Sequence, residues 1–200
     1  MIRRNLVLLA TVALAVSGCT GDRIINNSEP RPETPIAAPT ATPTTPPSNA
    51  HLVNAFHYVA HVGETTGYYF TTPSGKWRCA ILSLTKAGCQ ASSSWQSGLG
   101  IEGAPESVPD AEGQDVTPNA IVVDREGEPQ FVALEQPEFS LDPGPANALQ
   151  FNRILAAAGF RCNVQEESGV SCLSETSGKG FTFSAEGYIP QYTDVPPGAP

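Results

Sequence analysis

The chain has 200 residues, 20 of them acidic against 11 basic, and a formal net charge of −9. So acidic a chain is repelled by phosphate backbones and by anionic headgroups, which disfavours nucleic-acid binding and direct electrostatic adhesion to a membrane. The length suits one domain with a tail.

Met1-Ile2-Arg3-Arg4-Asn5 sets two positive charges before the apolar run Leu6 to Val16, the pattern of a secretory leader. The run is too short to span a bilayer, which takes about 20 apolar residues. It ends in Val16-Ser17-Gly18-Cys19. This resembles the bacterial lipobox: an aliphatic residue, two small residues that let a peptidase reach the backbone, then a cysteine whose thiol accepts a diacylglyceryl group. Residues 1–18 are expected to be a lipoprotein signal peptide and Cys19 the fatty-acylated first residue of the mature chain. Val16 stands where leucine is commoner. Arg3-Arg4 touches on twin-arginine export, but Asn5-Leu6 matches that signal only in part, which favours the general route. Two acyl chains anchor stably where one does not. The partner implied here is the membrane, and the expected location is its extracytoplasmic face. Loss of Arg3 and Arg4 takes the formal charge from −9 to −11.

Residues 19–50 hold Pro30, Pro32, Pro35, Pro39, Pro43, Pro46 and Pro47 among Thr, Ala, Ser and Asn. Such a composition buries too little apolar surface to offset its ordering entropy, so it reads as a tether. Its reach runs from about 30 Å as a coil to about 95 Å as polyproline II. A globular domain is expected over 51–192 and a loose tail over 193–200.

Within the domain, a first helix is expected at about Ala50 to His61, with Leu52, Phe56, Val59 and Ala60 as its apolar face. Strands are expected at Gly67 to Thr72, Ala120 to Asp124, Phe131 to Leu134 and Phe181 to Ser184, with Arg125 to Glu128 turning the middle pair into a hairpin. A second helix is expected from Pro145, striped by Phe151, Ile154, Leu155 and Ala158 and closed by Gly159. The sum is an α+β domain, small, disulfide-stapled and mostly antiparallel β, with one or two helices.

A short repeat organises the cysteines. Trp77-Arg78-Cys79 is followed by Cys89 and Phe160-Arg161-Cys162 by Cys172, at the same spacing. In the second unit Phe160, Cys162 and Val164 alternate with polar residues, and Glu166 to Gly169 suits a three-residue loop with a left-handed glycine. That register sets Cys162 opposite Cys172 and Val164 opposite Val170, with Cα atoms about 4.5 Å apart if the pair is not hydrogen-bonded. With Cys19 acylated, four cysteines remain and permit three connectivities. The repeat favours Cys79–Cys89 and Cys162–Cys172, as expected in an oxidising compartment. Arg78 and Arg161 fall out of phase with the cysteines, so they are expected at solvent, in salt bridges or stacked on aromatics.

Phe70-Thr71-Thr72-Pro73-Ser74-Gly75 before Cys79 forms one half of a wider pattern. Gly159-Phe160-Arg161-Cys162, Gly169-Val170-Ser171-Cys172 and Gly178-Lys179-Gly180-Phe181-Thr182-Phe183-Ser184 form the other. Over about Gly67 to Tyr188 the chain resembles a group of small actinobacterial secreted proteins and lipoproteins of uncharacterised function. The resemblance implies an actinobacterial envelope setting and no reaction.

Several constellations have residue types that could carry chemistry. His57, His61 and Glu64 would line one stripe of the first helix, and two imidazoles at i and i+4 can chelate a metal with a carboxylate as third ligand. No fourth ligand accompanies them, so a solvated polar edge is the better reading. Ser83-Leu84-Thr85-Lys86 matches Ser-x-x-Lys, but inside the Cys79–Cys89 hairpin and without the companion elements that penicillin-recognising enzymes need. No Gly-x-Ser-x-Gly elbow and no phosphate-binding glycine loop is present. Glu102 to Asp142 holds eleven carboxylates against Arg125 alone. Paired carboxylates for glycoside hydrolysis could come from it, though acidic surface is the simpler reading. The leading expectation is a non-catalytic envelope binding module without a cofactor. The alternatives are a cell-wall hydrolase using those acidic residues and a metal carrier using His57 and His61.

Overall fold

The computed structural model describes residues 46–92, 98–141, 144 and 146–200. The expected leader, Cys19 and the tether up to Thr45 lie outside the described residues. The chain divides at Thr44–Thr45, and the described residues all belong to the second unit.

Among the described residues thirteen strands form: β1 (Val59–Val62), β2 (Thr65–Thr71), β3 (Trp77–Leu82), β4 (Lys86–Ala91), β5 (Val108–Pro109), β6 (Asp115–Val116), β7 (Ala120–Asp124), β8 (Gln130–Val132), β9 (Arg153–Ala157), β10 (Phe160–Gln165), β11 (Gly169–Ser174), β12 (Gly180–Phe183) and β13 (Tyr188–Ile189). They form a six-stranded sheet in the order β1-β2-β3-β4-β7-β8, a five-stranded sheet in the order β13-β12-β11-β10-β9, and the small pair β5-β6. Every ladder within these sheets is antiparallel.

The two large sheets stack face to face, β10 and β11 lying against β3, β4 and β7. Alternation decides what lies between them. Phe70, Cys79, Ile81, Cys89 and Ile121 point inward from the first sheet, and Leu155, Phe160, Cys162, Val170 and Phe181 from the second. Trp77 bridges the layers edge-on to Phe183, ring centroids 5.0 Å apart, and its indole N–H donates to the Leu99 carbonyl at 3.2 Å.

Both disulfides, Cys79–Cys89 and Cys162–Cys172, close where the repeat placed them, one in each sheet, with Cα atoms 4.1 Å apart in each pair. Glu175 N–H donates to the Gly159 carbonyl. Hydrogen-bonded pairs therefore alternate so that Cys162 and Cys172 form a non-hydrogen-bonded pair, where side chains come closest. Val164 opposes Val170 as expected, and Gly169 carries φ +83° at the end of its three-residue loop. The Ala120–Asp124 hairpin also forms, with Ile121 opposite Phe131.

The α+β expectation is overturned: the unit is almost entirely β, and among the described residues there is one 3-10 turn, Ala55–His57, and no α-helix. Where the second helix was expected, Arg153–Ala157 is β9, paired to β10 with Leu155 opposite Cys162 and Ile154 opposite Asn163. Leu155 faces the inter-sheet core and Ile154 the other side, yet both are fully buried. Adjacent apolar residues with opposite faces buried imitate a helical stripe. Gly159 does need a positive φ, but as half of a two-residue hairpin turn with Ala158, at φ +83° and +50°, the signature of a type I′ turn. Pro145 lies outside the described residues.

The first helix is likewise absent. Asn54 caps only the 3-10 turn, its side chain accepting from Phe56 N–H at 3.0 Å. The chain then extends as β1, folded back on β2 through Gly63-Glu64 with Gly63 at φ +60°. β-Branched Val59 and Val62 suit this ribbon better than a helix.

The outer faces of the two sheets differ. That of the first sheet is apolar, with Tyr69, Ala80, Leu82, Ala120 and Val122 covered by Phe139 from the β8–β9 connection. That of the second is polar. Arg161 is only 7% exposed, and it is bound rather than solvated. Its guanidinium donates to Glu175 Oε1 at 2.7 and 2.8 Å and to the Ser48 carbonyl at 2.9 Å. Of the settings foreseen for the two arginines, the salt bridge holds for Arg161. Arg78 is half-buried. Ser48 takes part in these contacts, and Val195 near the other end of the unit is buried.

Candidate functional site

The segment 52–62 puts apolar side chains where the fold does not cover them. Leu52 is 46% and Phe56 85% exposed, and Val59 and Val62 are exposed as well. These include three of the four residues expected on a buried helical face. Extended pairing turns only Ala60 of that set toward the first sheet's outer cluster.

The same segment forms an edge of the six-stranded sheet. The Tyr69 N–H donates to the Tyr58 carbonyl at 2.8 Å. By alternation, Ala60 and Val62 turn their backbone groups toward β2, while Val59 and His61 turn theirs outward. Natural sheet edges are usually blunted by charge, proline, a bulge or shortness. Val59-Ala60-His61-Val62 has only shortness. The edge at β9 is covered at one position, where His51 and Val53 bond to Ile154 (3.0 and 2.9 Å). There His51 Nδ1 lies 3.2 Å from Arg153 Nη1. A guanidinium can only donate, so Nδ1 is the acceptor.

Of the three metal candidates, His57 and His61 sit on this segment and Glu64 just beyond it, and they share no stripe, because the helix that would align them is missing. His57 ends the 3-10 turn, its carbonyl accepting from Asn147 Nδ2 at 2.6 Å. His61 Nδ1 lies 3.0 Å from Thr66 Oγ1. Glu64 is in the β1–β2 turn. Among the described residues no group of three or more His, Cys, Asp and Glu side chains is placed to hold a metal ion.

The acidic stretch contributes Asp110, Glu112 and Glu135 to an open cleft of about 330 Å³. Asp110 Oδ1 is engaged by the N–H groups of Glu112 and Gln114, at 3.0 and 2.7 Å, and so shapes a turn. Ser83 and Lys86 lie at a hairpin tip rather than on one helical turn, and Lys86 Nζ is paired with Glu138 at 2.7 Å. A second cleft, of about 240 Å³, is lined by Lys76, Phe151, Glu166 and Glu186 among others. Glu186 is held below the usual carboxylate range, first by the Ser184 hydroxyl and then by its own backbone N–H. Phe151, expected in a helical core, is 41% exposed at that cleft.

Sequence reasoning missed both the open edge and the Arg161 junction. The edge could have been read from two β-branched residues flanking Ala-His before Gly63. For Arg161 the repeated aromatic-Arg-Cys unit was visible, but its distant partners Ser48 and Glu175 were not. Compared with models of protein families, with curated proteins and with solved structures, the chain gives no significant match.

Proposed function

We propose that this chain is a lipid-anchored, extracytoplasmic binding module with no catalytic role, belonging to an actinobacterial envelope. Cys19 tethers it to the outer face of the cytoplasmic membrane, and β1 receives an extended segment of an envelope protein. One observation carries the docking half of this reading: a sheet edge free of charge-pairing, proline or bulge, preceded by Phe56, which is 85% exposed. Strand addition uses main-chain hydrogen bonds for affinity and adjacent apolar side chains for selectivity. Exposed apolar patches on soluble domains mark interaction sites. Two disulfides buried in the core support the extracytoplasmic half, since such bonds persist in oxidising compartments.

The test uses the full-length acylated chain in its own envelope, with a photo-crosslinking residue in place of Phe56. A discrete protein adduct is expected, and His61→Pro is expected to abolish it. Proline at 61 removes an N–H that faces outward, so the β1–β2 ladder survives, whereas Ala60→Pro would break it. An unchanged melting temperature for His61→Pro separates a blocked edge from a lost fold. No adduct, or one indifferent to His61→Pro, contradicts the docking edge.

A further inference from the structure

The second sheet's outer face is polar, and what covers it is largely main chain. Asn163 and Ser171 are fully buried there, and Thr182 nearly so. Asn163 Nδ2 donates to the Thr193 carbonyl at 2.9 Å. Gln165 Nε2 donates to the carbonyls of Thr193 and Asp194 at 3.2 and 3.4 Å. The Thr182 hydroxyl donates to the Gln191 carbonyl at 2.7 Å. Side-chain amides and hydroxyls that read carbonyls are indifferent to the side chains of the segment they hold. Any extended peptide presents the same carbonyl acceptors, to which this segment adds the Tyr192 and Thr193 hydroxyls, at 3.0 Å from Asn163 Nδ2 and 2.9 Å from Thr182 Oγ1.

This cover differs in kind from that of the first sheet, where Phe139 is buried among apolar side chains. Over the second sheet, Gln191 to Val195 contributes Val195, which is buried, and Tyr192, whose Cβ would lie 3.1 Å from a Cβ added at Gly180. The rest is polar contact, including Asp194 Oδ2 accepting from Ser48 N–H at 2.6 Å. Hydrogen bonds exchanged against water hold a segment modestly compared with apolar burial. Pro190 and Pro196 flank the segment, and proline keeps the chain extended and denies it a helix.

We infer that the outer face of the second sheet is a peptide-binding groove, which Gln191–Val195 fills in cis and which an extended, proline-flanked segment of another chain takes in its place. The partner is recognised by its carbonyls and its extended backbone. The groove is separate from β1 and stands or falls independently of it.

The probe is a fluorescent synthetic peptide spanning residues 189–198, followed by anisotropy with the full-length chain. In the native chain the linked segment competes at high effective concentration. Tyr192→Ala with Asp194→Ala removes the segment's own locks and leaves Asn163, Gln165 and Thr182 intact. That variant is expected to bind the peptide saturably, about tenfold or more tighter than the native chain. Adding Asn163→Ala should abolish the gain. A folded double variant that binds no tighter, or binding unmoved by Asn163→Ala, overturns the inference. Should the double variant not fold, hydrogen exchange of the native chain decides. Amides of residues 191–195 exchanging about a hundredfold faster than those of β10 and β11 support an exchangeable segment. Exchange of both only through global unfolding overturns it.

Discussion

Replacing all four of Cys79, Cys89, Cys162 and Cys172 by alanine is expected to lower the stability of the domain by about 5–6 kcal/mol. Each bond closes a loop of sequence separation 10. The loop-entropy relation gives such a loop about 2.7 kcal/mol through its restraint of the unfolded chain. The two loops share no residues, so their contributions should add closely. Domains have only about 5–15 kcal/mol in total, and for one of this size the loss corresponds to a melting temperature lower by roughly 10–20 °C. Calorimetry of the two single-pair variants and the four-cysteine variant checks both the size and the additivity. A fall below about 1 kcal/mol for the four-cysteine variant would mean that the sandwich is held by packing alone. All four cysteines are fully buried, so reductant should reach them through unfolding rather than at the native surface.

Phe139→Ala should cost about 3–5 kcal/mol, the range for deleting a fully buried aromatic side chain. Phe139 is the central apolar residue covering the first sheet's outer face, and it is completely buried. Its own N–H donates to Gln90 Oε1 at 2.8 Å, tying the β8–β9 connection to β4. The ring seats over Gly88, where an added Cβ would come 2.5 Å from Phe139 Cζ and 2.7 Å from the Ile121 carbonyl oxygen. Gly88→Ala therefore strikes the same joint from the opposite side, and it meets backbone that cannot yield. Urea denaturation should show both variants with a lower midpoint. A midpoint shift equivalent to less than about 1 kcal/mol for Phe139→Ala would show that the connection does not contribute as a packed layer.

Some of this architecture was legible in the residues, and the reasons are local. Cys162, Val164, Val170 and Cys172 encode one register twice over, because disulfide reach and apolar alternation demand the same pairing. The Ala120–Asp124 strand reads plainly because four consecutive residues are buried, leaving an apolar run bounded by Asp124 and a glycine-containing turn. The helices were misread for a physical reason. Once a strand is covered on both faces, its apolar residues lose their alternation, and Ile154-Leu155 then fits a helical stripe as well as a ladder. Ala158-Gly159 carried the correcting signal, a pair that must turn with positive φ, but a helix cap also wants such a glycine. The candidate site was harder to read. An exposed Phe56 looks the same in sequence as a buried one, and only the fold shows that β1 lies at a sheet edge. The polar groove over the second sheet depends on the pairing of Asn163 with Thr193 across thirty positions, a relation that no local pattern contains.

The reading of the chain as an acylated module outside the cytosol is tested most directly by intact-mass spectrometry of the native protein extracted from membranes, alkylated without reduction. The expected chain begins at Cys19 and carries the mass of a diacylglyceryl group. No thiol is expected to be modified until reductant and denaturant are added, when four become reactive. A mature N-terminus at any other residue, a chain free of lipid, or alkylation of Cys79 or Cys162 before reduction would contradict that reading.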